Sequence, residues 1–479
     1  MFQESNRSEV GRTRLLVALV FSAVGILAVA AASFPGWGIQ QSTTLTPHPG
    51  LNAAQRQSRE RYFANKRGVG FGVPKGAYSN AVAQMKRMRP AMSSSANGTA
   101  ATVLGWTPIG PEPMANAQAN FGGALFAAKF NASGRVSAFA IDPQQQSNLY
   151  VGAAGGGVWK STDTGSTFTP IFDAEPTQAI GSIAIDAVNT TPSTIYVGTG
   201  EGNGSDSYSG QGLYRSRDQG ATWTQIGPAA FFGNSVAKLA IDTSHNPPYI
   251  FAGVTTAGIL DRSGESIATS SGAGDGLWRS TDGGANWARF GSATFGNCVA
   301  GGGPCPALDI AIDPVAPKHV YVAIQNADVY SSSDSGATWA LATFPGVTLN
   351  LGVQGRQSVA VVPSASGTVY AMVGAGDGKE FIGFFKSTDF GATWTAGTVP
   401  SANFNPPTID GTSSSNFSQS SYDQALIAPN ATTLVFGGVG LYQSSDSGNS
   451  WSFIPSSGGT HSDQHALAED GLGNVLHRQ

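Results

Sequence analysis

The motif S-x-D-x-G-x-x-W/F, carried six times in phase, constrains this chain more than any other feature. Its copies are "GVWKSTDTGSTF" from Gly157, "GLYRSRDQGATW" from Gly212, "GLWRSTDGGANW" from Gly276, "DVYSSSDSGATW" from Asp328, "FFKSTDFGATW" from Phe384 and "GLYQSSDSGNSW" from Gly440. The aspartates, Asp163, Asp218, Asp282, Asp334, Asp389 and Asp446, stand 55, 64, 52, 55 and 57 residues apart. A period near 55 exceeds a helical repeat unit and fits one four-stranded propeller blade.

Each period repeats its parts in order. An alternating apolar strand ("GSIAIDA", "AKLAIDT", "LDIAIDP") is followed by a second ("TIYVGTG", "HVYVAI"). A third ("GLYRS") then runs into the S-x-D-x-G turn and a fourth leaves it ("TWTQIG"). The turn chemistry is mechanical. An Asp carboxylate accepts backbone N–H bonds a few residues on, a Ser hydroxyl closes the same turn, and Gly takes a positive φ at little cost. The Trp or Phe then re-enters the sheet, and Trp287 is expected to wedge the outer strand onto its own blade. Composition agrees with short strands and tight turns: 63 of 479 residues are Gly and only 12% are charged.

The turns resemble Asp-boxes, the bacterial neuraminidase repeats, and the chain from about Gly105 onward is similar to sortilin-like and glycoside-hydrolase-like Asp-box β-propellers. That resemblance implies that the six box aspartates are structural and lie at the blade periphery, away from the ligand face. The expected fold is all-β: six full four-stranded blades with Asp-box turns plus an incomplete seventh. "GWTPIGPEP" from Gly105 matches a fourth strand without a box before it, and after the sixth box "HSDQHALAEDGLGNVLHRQ" supplies a first strand and part of a second. Either the seventh blade is built short, or the chain is a truncated version of a longer relative, the reading preferred at this point.

Three segments are expected: residues 1–33 as a signal peptide or signal anchor, 34–104 as a basic low-complexity linker, and 105–479 as the propeller. Arg7, Arg12 and Arg14 precede an apolar run, Leu15–Ser33, whose Ala30-Ala31-Ala32 suits cleavage, so the rest is read as exported: periplasmic, cell-surface or secreted. The linker holds nine Lys or Arg against Glu60 between Leu51 and Pro90, a solvated stretch or a contact with anionic lipid. A net charge of −4 gives no field pointing to nucleic acid, and membrane contact is expected only through the N-terminal anchor. Cys298 and Cys305, the two cysteines, are read as a local disulfide across a Gly-rich loop, and export places them where disulfides persist.

In an antiparallel blade the box turn lies on one face, so the two-to-three and blade-to-blade loops share the other. Long loops on a rigid scaffold are where binding residues concentrate, and that face gathers Glu201, Asn203, Asp206, Asp275, Asp377, Glu380 and the segment with Asp410. His461, Asp463 and His465 alternate on an inner strand and point to one side, beside the central channel. No metal and no cofactor are expected. Arg135 and Arg356 open inner strands, where they are placed to hold a carboxylate from the channel side, whereas Lys160, Arg215, Arg279 and Lys386 share one blade position and are architectural.

Two enzyme comparisons fail on particular residues. The chain lacks the F/Y-R-I-P motif of sialidases. In "YVGAAGGGVWKS" Ala154 stands where xyloglucan-cleaving Asp-box hydrolases carry a catalytic Asp before a Gly pair, and their second propeller, with the other carboxylate, has no counterpart here. The leading expectation is a monomeric, non-catalytic propeller binding an extracytoplasmic peptide, protein or glycan. The alternatives are a glycoside hydrolase using Glu201, Asp206, Asp275 or Asp377, and an assembly factor for a membrane complex.

Overall fold

The computed structural model of the chain describes residues 114–117, 130–132 and 135–478, except 204–207, 256–273, 297, 299–304, 326, 347–353, 376–380, 400–423, 439, 455–464 and 470–474. Asp206, Asp377, Glu380, Asp410, His461 and Asp463 lie outside the described residues, as do the N-terminal 113 and the strand read at "GWTPIGPEP".

Among the described residues, six four-stranded antiparallel sheets form the blades of a ring, a β-propeller with almost no helix. In the second blade the strands run from the channel outward as Ile180–Asp186, Thr194–Thr199, Leu213–Ser216 and Thr224–Ile226. The inner strands of the other blades are Val136–Ile141, Ser235–Asp242, Ala307–Ile312, Gln354–Val361 and Ala425–Ile427. A two-stranded sheet, Ala466–Glu469 with Val475–Arg478, sets its first strand between the inner strands of the sixth and first blades. A second two-stranded sheet pairs Met114–Ala117 with Phe130–Ala132.

Alternation gives each blade two apolar faces, and consecutive blades bury them against one another. Tyr150, Val158 and Phe172 of the first blade meet Ile183, Val197 and Tyr214 of the second, and four similar cores follow in order around the ring. The box tryptophans belong to these seams. Trp223, Trp287, Trp339, Trp394 and Trp451 each pack edge-to-face, at 5.0–6.1 Å between ring centroids, on Phe172, Phe231, Phe295, Phe344 and Phe384 of the preceding blade or the segment leaving it. This corrects the expectation for Trp287: its N–H holds the carbonyl of its own turn, Gly284 O (3.0 Å), while its ring packs on Phe231, so it fastens its outer strand to the neighbouring blade as well. Such pairs add about 0.5–1.5 kcal/mol beyond area burial.

The turn itself closes the same way in all six copies. Ser161 Oγ donates to Asp163 Oδ1 (2.7 Å) and accepts from Gly165 N–H (2.8 Å), while Asp163 accepts from Thr167 N–H (2.9 Å) and Thr167 Oγ1 (2.7 Å). The hydroxyls of Thr167, Thr393 and Ser450 hold Asp163, Asp389 and Asp446 well below the ordinary carboxylate range, at about 2. The fourth motif residue, Thr164, Gln219, Gly283, Ser335, Phe390 or Ser447, takes a positive φ between 57° and 70° in each box. Its carbonyl faces the blade before it: Arg215 Nη1 donates to Gly283 O (3.1 Å), Arg279 Nη1 to Ser335 O (3.0 Å), and Lys160 Nζ to Gln219 O (3.4 Å). Those cations stitch one blade to the next.

Gly283 is the one glycine among the six at this left-handed position. Gly283→Ala is expected to lower stability by about 1 kcal/mol, the cost of a Cβ at positive φ, read as a lower urea midpoint with an unchanged slope. An unchanged midpoint would show that the turn absorbs a side chain there freely.

The disulfide is present: Cys298 and Cys305 are bonded, with Cα atoms 5.2 Å apart, and both are buried in the seam between the third and fourth blades. No helix among the described residues is long and apolar enough to cross a membrane.

Candidate functional site

The inner strands of all six blades, together with His465, Ala466 and Leu467, line a cavity of about 120 Å³ on the channel axis. Its wall is built at one register. Counting four residues back from the Asp that ends an inner strand (Asp186, Asp242, Asp313) gives Ser182, Lys238 and Asp309, and the corresponding places in the next two blades hold Ser358 and Gln424. Strand alternation, with a bulge in the inner strands of the second to fifth blades, turns this position inward, where it meets the next blade.

The result is a polar belt. Ser182 Oγ accepts from Leu239 N–H (2.8 Å), Lys238 Nζ lies 2.8 Å from Asp309 Oδ1, and Asp309 Oδ2 accepts from Val359 N–H (3.0 Å). Ser358 Oγ then donates to Gln424 Oε1 (3.0 Å), whose Nε2 donates back to Arg356 O (3.0 Å). Each bond joins one inner strand to another, so the side chains that line the cavity also fasten the blades.

A second chain of contacts sits at the end of the channel where the two-to-three loops emerge. Arg135, just before the first inner strand, forms an ion pair with Glu201, which follows the second strand of the second blade and is 1% exposed. Asn203 Nδ2 donates to Glu201 Oε1 (3.1 Å) and also contacts His465 Nδ1 (3.0 Å). Arg356 Nη1 donates to Gly202 O (3.4 Å) from across the cavity. Ala154, also at this end, is buried and donates its N–H to Arg135 O (2.9 Å). Beside the rim stands Tyr208, which is 63% exposed and whose carbonyl accepts from Glu201 N–H (3.1 Å).

Of the sequence-level candidates, the structure brings Glu201, Asn203 and His465 together with Arg135 and Arg356. Asp275 stands apart: it is fully buried, is not among the residues lining the cavity, and its carbonyl accepts from Arg289 Nε (2.8 Å) and Nη2 (2.6 Å). The belt residues Lys238, Asp309, Ser358 and Gln424 are absent from the sequence-level list. The signal for them is a single polar residue at a fixed place in an apolar alternation, as in "AKLAID" and "LDIAID".

The cavity offers fixed donors (Arg356, Lys238, Asn203) beside fixed acceptors (Glu201, Asp309, Gln424 Oε1), with Arg135 paired to Glu201. Both carboxylates are committed within the protein: Glu201 to Arg135 and Asn203, and Asp309 to Lys238 and two backbone N–H groups, of Val359 and Ile310. Such an array orients a polyhydroxylated ligand well. Proton transfer to a glycosidic oxygen asks for a protonated acid, whereas a carboxyl paired with a guanidinium is held ionised.

No protein-family model matches the chain. Among curated proteins, a xyloglucanase of Paenibacillus sp. is 29% identical over 234 residues, covering 42% of this chain and 20% of that protein. The xyloglucanase Xgh74A of Acetivibrio thermocellus is 28% identical over 230 residues, covering 42% of this chain and 24% of its own. The match thus spans about a fifth to a quarter of the length of these relatives. Among solved structures, a GH74 xyloglucanase from Xanthomonas campestris shares 19% identity at a TM-score of 0.49, over 72% of this chain and 50% of that one. YCF48 from Cyanidioschyzon merolae shares 12% identity at a TM-score of 0.44, over 72% of this chain and 93% of that one.

Proposed function

We propose that this is an exported propeller of the Asp-box type, monomeric and without cofactor, that binds a glycan chain at the loop-rich end of its channel and does not cleave it. The observation that carries the reading is the state of Glu201, buried and ion-paired with Arg135 while it accepts from Asn203. It is a positioned acceptor for hydroxyls. Sugar hydroxyls donate and accept at once, which matches a rim alternating guanidinium, carboxylate, amide and imidazole. The similarity to xyloglucanases points to a β-glucan backbone as the first ligand to try, and Ala154 at the rim supports binding over hydrolysis. The N-terminal basic and apolar stretch supports export.

The test is affinity electrophoresis and calorimetry on the full chain with xyloglucan, cellulose oligosaccharides and unrelated α-glucans, with reducing ends assayed in the same samples. Saturable binding to a β-glucan is expected, weakened about tenfold or more by Asn203→Ala, without release of reducing ends. A second reading, a glycoside hydrolase, is favoured by the curated similarity itself. Reducing ends whose release Glu201→Gln abolishes would establish it and overturn the binding reading. Failure with every polysaccharide but capture of an exported peptide would move the ligand class to protein.

A further inference from the structure

We infer that His465 is a pH-sensitive latch that fastens the two-stranded sheet Ala466–Glu469/Val475–Arg478 across the channel to the second blade. This inference goes beyond the glycan reading and does not depend on it. It rests on a chain of hydrogen bonds in which each member fixes the protonation of the next.

The Arg135 guanidinium keeps Glu201 ionised, so both Glu201 oxygens only accept. Asn203 must therefore turn its amide nitrogen, not its oxygen, towards Glu201 Oε1 at 3.1 Å. The same nitrogen faces His465 Nδ1 at 3.0 Å, and a nitrogen bearing two hydrogens can only donate. His465 Nδ1 must then carry a lone pair, which assigns the neutral imidazole with its proton on Nε2.

Protonation at Nδ1 sets an N–H against an N–H. Turning the Asn203 amide over restores that contact but sets its oxygen against Glu201 Oε1. One bond of the chain is lost either way. Among the described residues, the charged groups near the ring include Glu201, whose carboxylate favours the imidazolium, and Arg135, Arg356 and Lys238, which oppose it, with Asp309 across the cavity bonded to Lys238. The sixth-blade inner strand, Ala425–Ile427, adds no titratable side chain.

The latch has mechanical weight because of where it stands. Asn203 belongs to the second blade and His465 to the sheet lying between the sixth and first, so their bond ties that sheet to a blade beyond its nearest neighbour. An imidazole ordinarily titrates between about pH 6 and 7, so the sheet should loosen as pH falls through that range.

Hydrogen exchange of the unliganded full chain, expressed as protection factors to remove the intrinsic pH dependence, tests this at pH 5.0, 6.5 and 8.0. Protection of Ala466–Glu469 should fall roughly tenfold from pH 8.0 to 5.0, while the third-blade inner strand Ser235–Asp242 keeps its own. His465→Asn places a permanent acceptor, its Oδ1, at the Nδ1 position and should hold protection constant over the whole range. Asn203→Asp, which favours the imidazolium, should reverse the slope. Equal pH dependence in the wild type and His465→Asn, or none in the wild type, overturns the inference. Neither result bears on glycan binding, which is measured separately at a fixed pH of 8.0.

Discussion

Gly181→Ala is expected to destabilise the propeller by about 3 kcal/mol. Gly181 lies on the inner strand of the second blade and lines the cavity. A Cβ there would fall on the carbonyl oxygens of Gly200 and Val236, the latter at 2.5 Å. Both are backbone atoms. Gly200 follows the second strand of the same blade and Val236 lies near the start of the third, so neither yields by a rotamer change. The inner strands must part, and the belt between Ser182 and Leu239 N–H opens with them. Urea unfolding of Gly181→Ala beside Gly155→Ala, whose Cβ would meet nothing within 4 Å, separates close approach from a general intolerance of alanine. Equal midpoints for the two variants would remove the close-approach account. Loss of ligand binding in Gly181→Ala at a temperature where it stays folded would show that the same approach shapes the cavity.

Asp328→Asn is expected to stabilise the protein at neutral and alkaline pH and to do nothing at pH 4. Asp328 opens the third strand of the fourth blade and is 1% exposed. Its Oδ1 accepts from Val329 N–H (2.9 Å), while Oδ2 has no partner among the described residues. Burial pushes its carboxyl up to about 7. In the unfolded chain an aspartate titrates near 3.9, so the folded form holds the proton more tightly. Stability is therefore greatest below about pH 4, falls as pH rises between about 4 and 7, and stays low above that range. The full shift corresponds to about 4 kcal/mol, an upper bound before the fold relaxes, and about 2 kcal/mol is the gain expected for Asn at pH 8. Thermal unfolding at pH 4.0 and 8.0 reads it. A gain of the same size at both pH values, or a loss at pH 8, would contradict the buried-charge account. The box aspartates run the other way: Asp163, Asp389 and Asp446 are held at about 2 by the hydroxyls of Thr167, Thr393 and Ser450. What they contribute is present above about pH 4 and lost as pH falls towards 2.

The ring was legible because its construction is local. Every blade closes its own turn within eight consecutive residues, from the Ser to the aromatic, and the chemistry of that turn needs those residue types at that spacing. The disulfide was legible for the same reason, since Cys298 and Cys305 are separated by a loop of six residues. The role of the box tryptophan was not. Which aromatic Trp287 meets depends on the offset between blades, and Phe231 lies 56 positions earlier.

The site divides along the same line. Glu201 and Asn203 stood out as polar loop residues on the face opposite the boxes, which connection alternation in an antiparallel blade assigns without coordinates, and His465 by its alternation with His461 and Asp463 on an inner strand. Asp275 stood on the same list for the same reason, and the structure buries it away from the cavity. Loop membership says which end a residue occupies, not whether its side chain turns to the axis.

The sequence by itself determined the blade, the box turn, the order of strands and the end of the ring that carries the long loops, because each depends on hydrogen bonds and alternation within one repeat. Only the tertiary structure decided that Arg135 pairs with Glu201 across 66 positions, that Asn203 meets His465 across 262, and that Lys238 meets Asp309. Those contacts exist because a closed ring brings the inner strands of distant repeats to one axis, and closure is a property of all the blades together that no single repeat encodes.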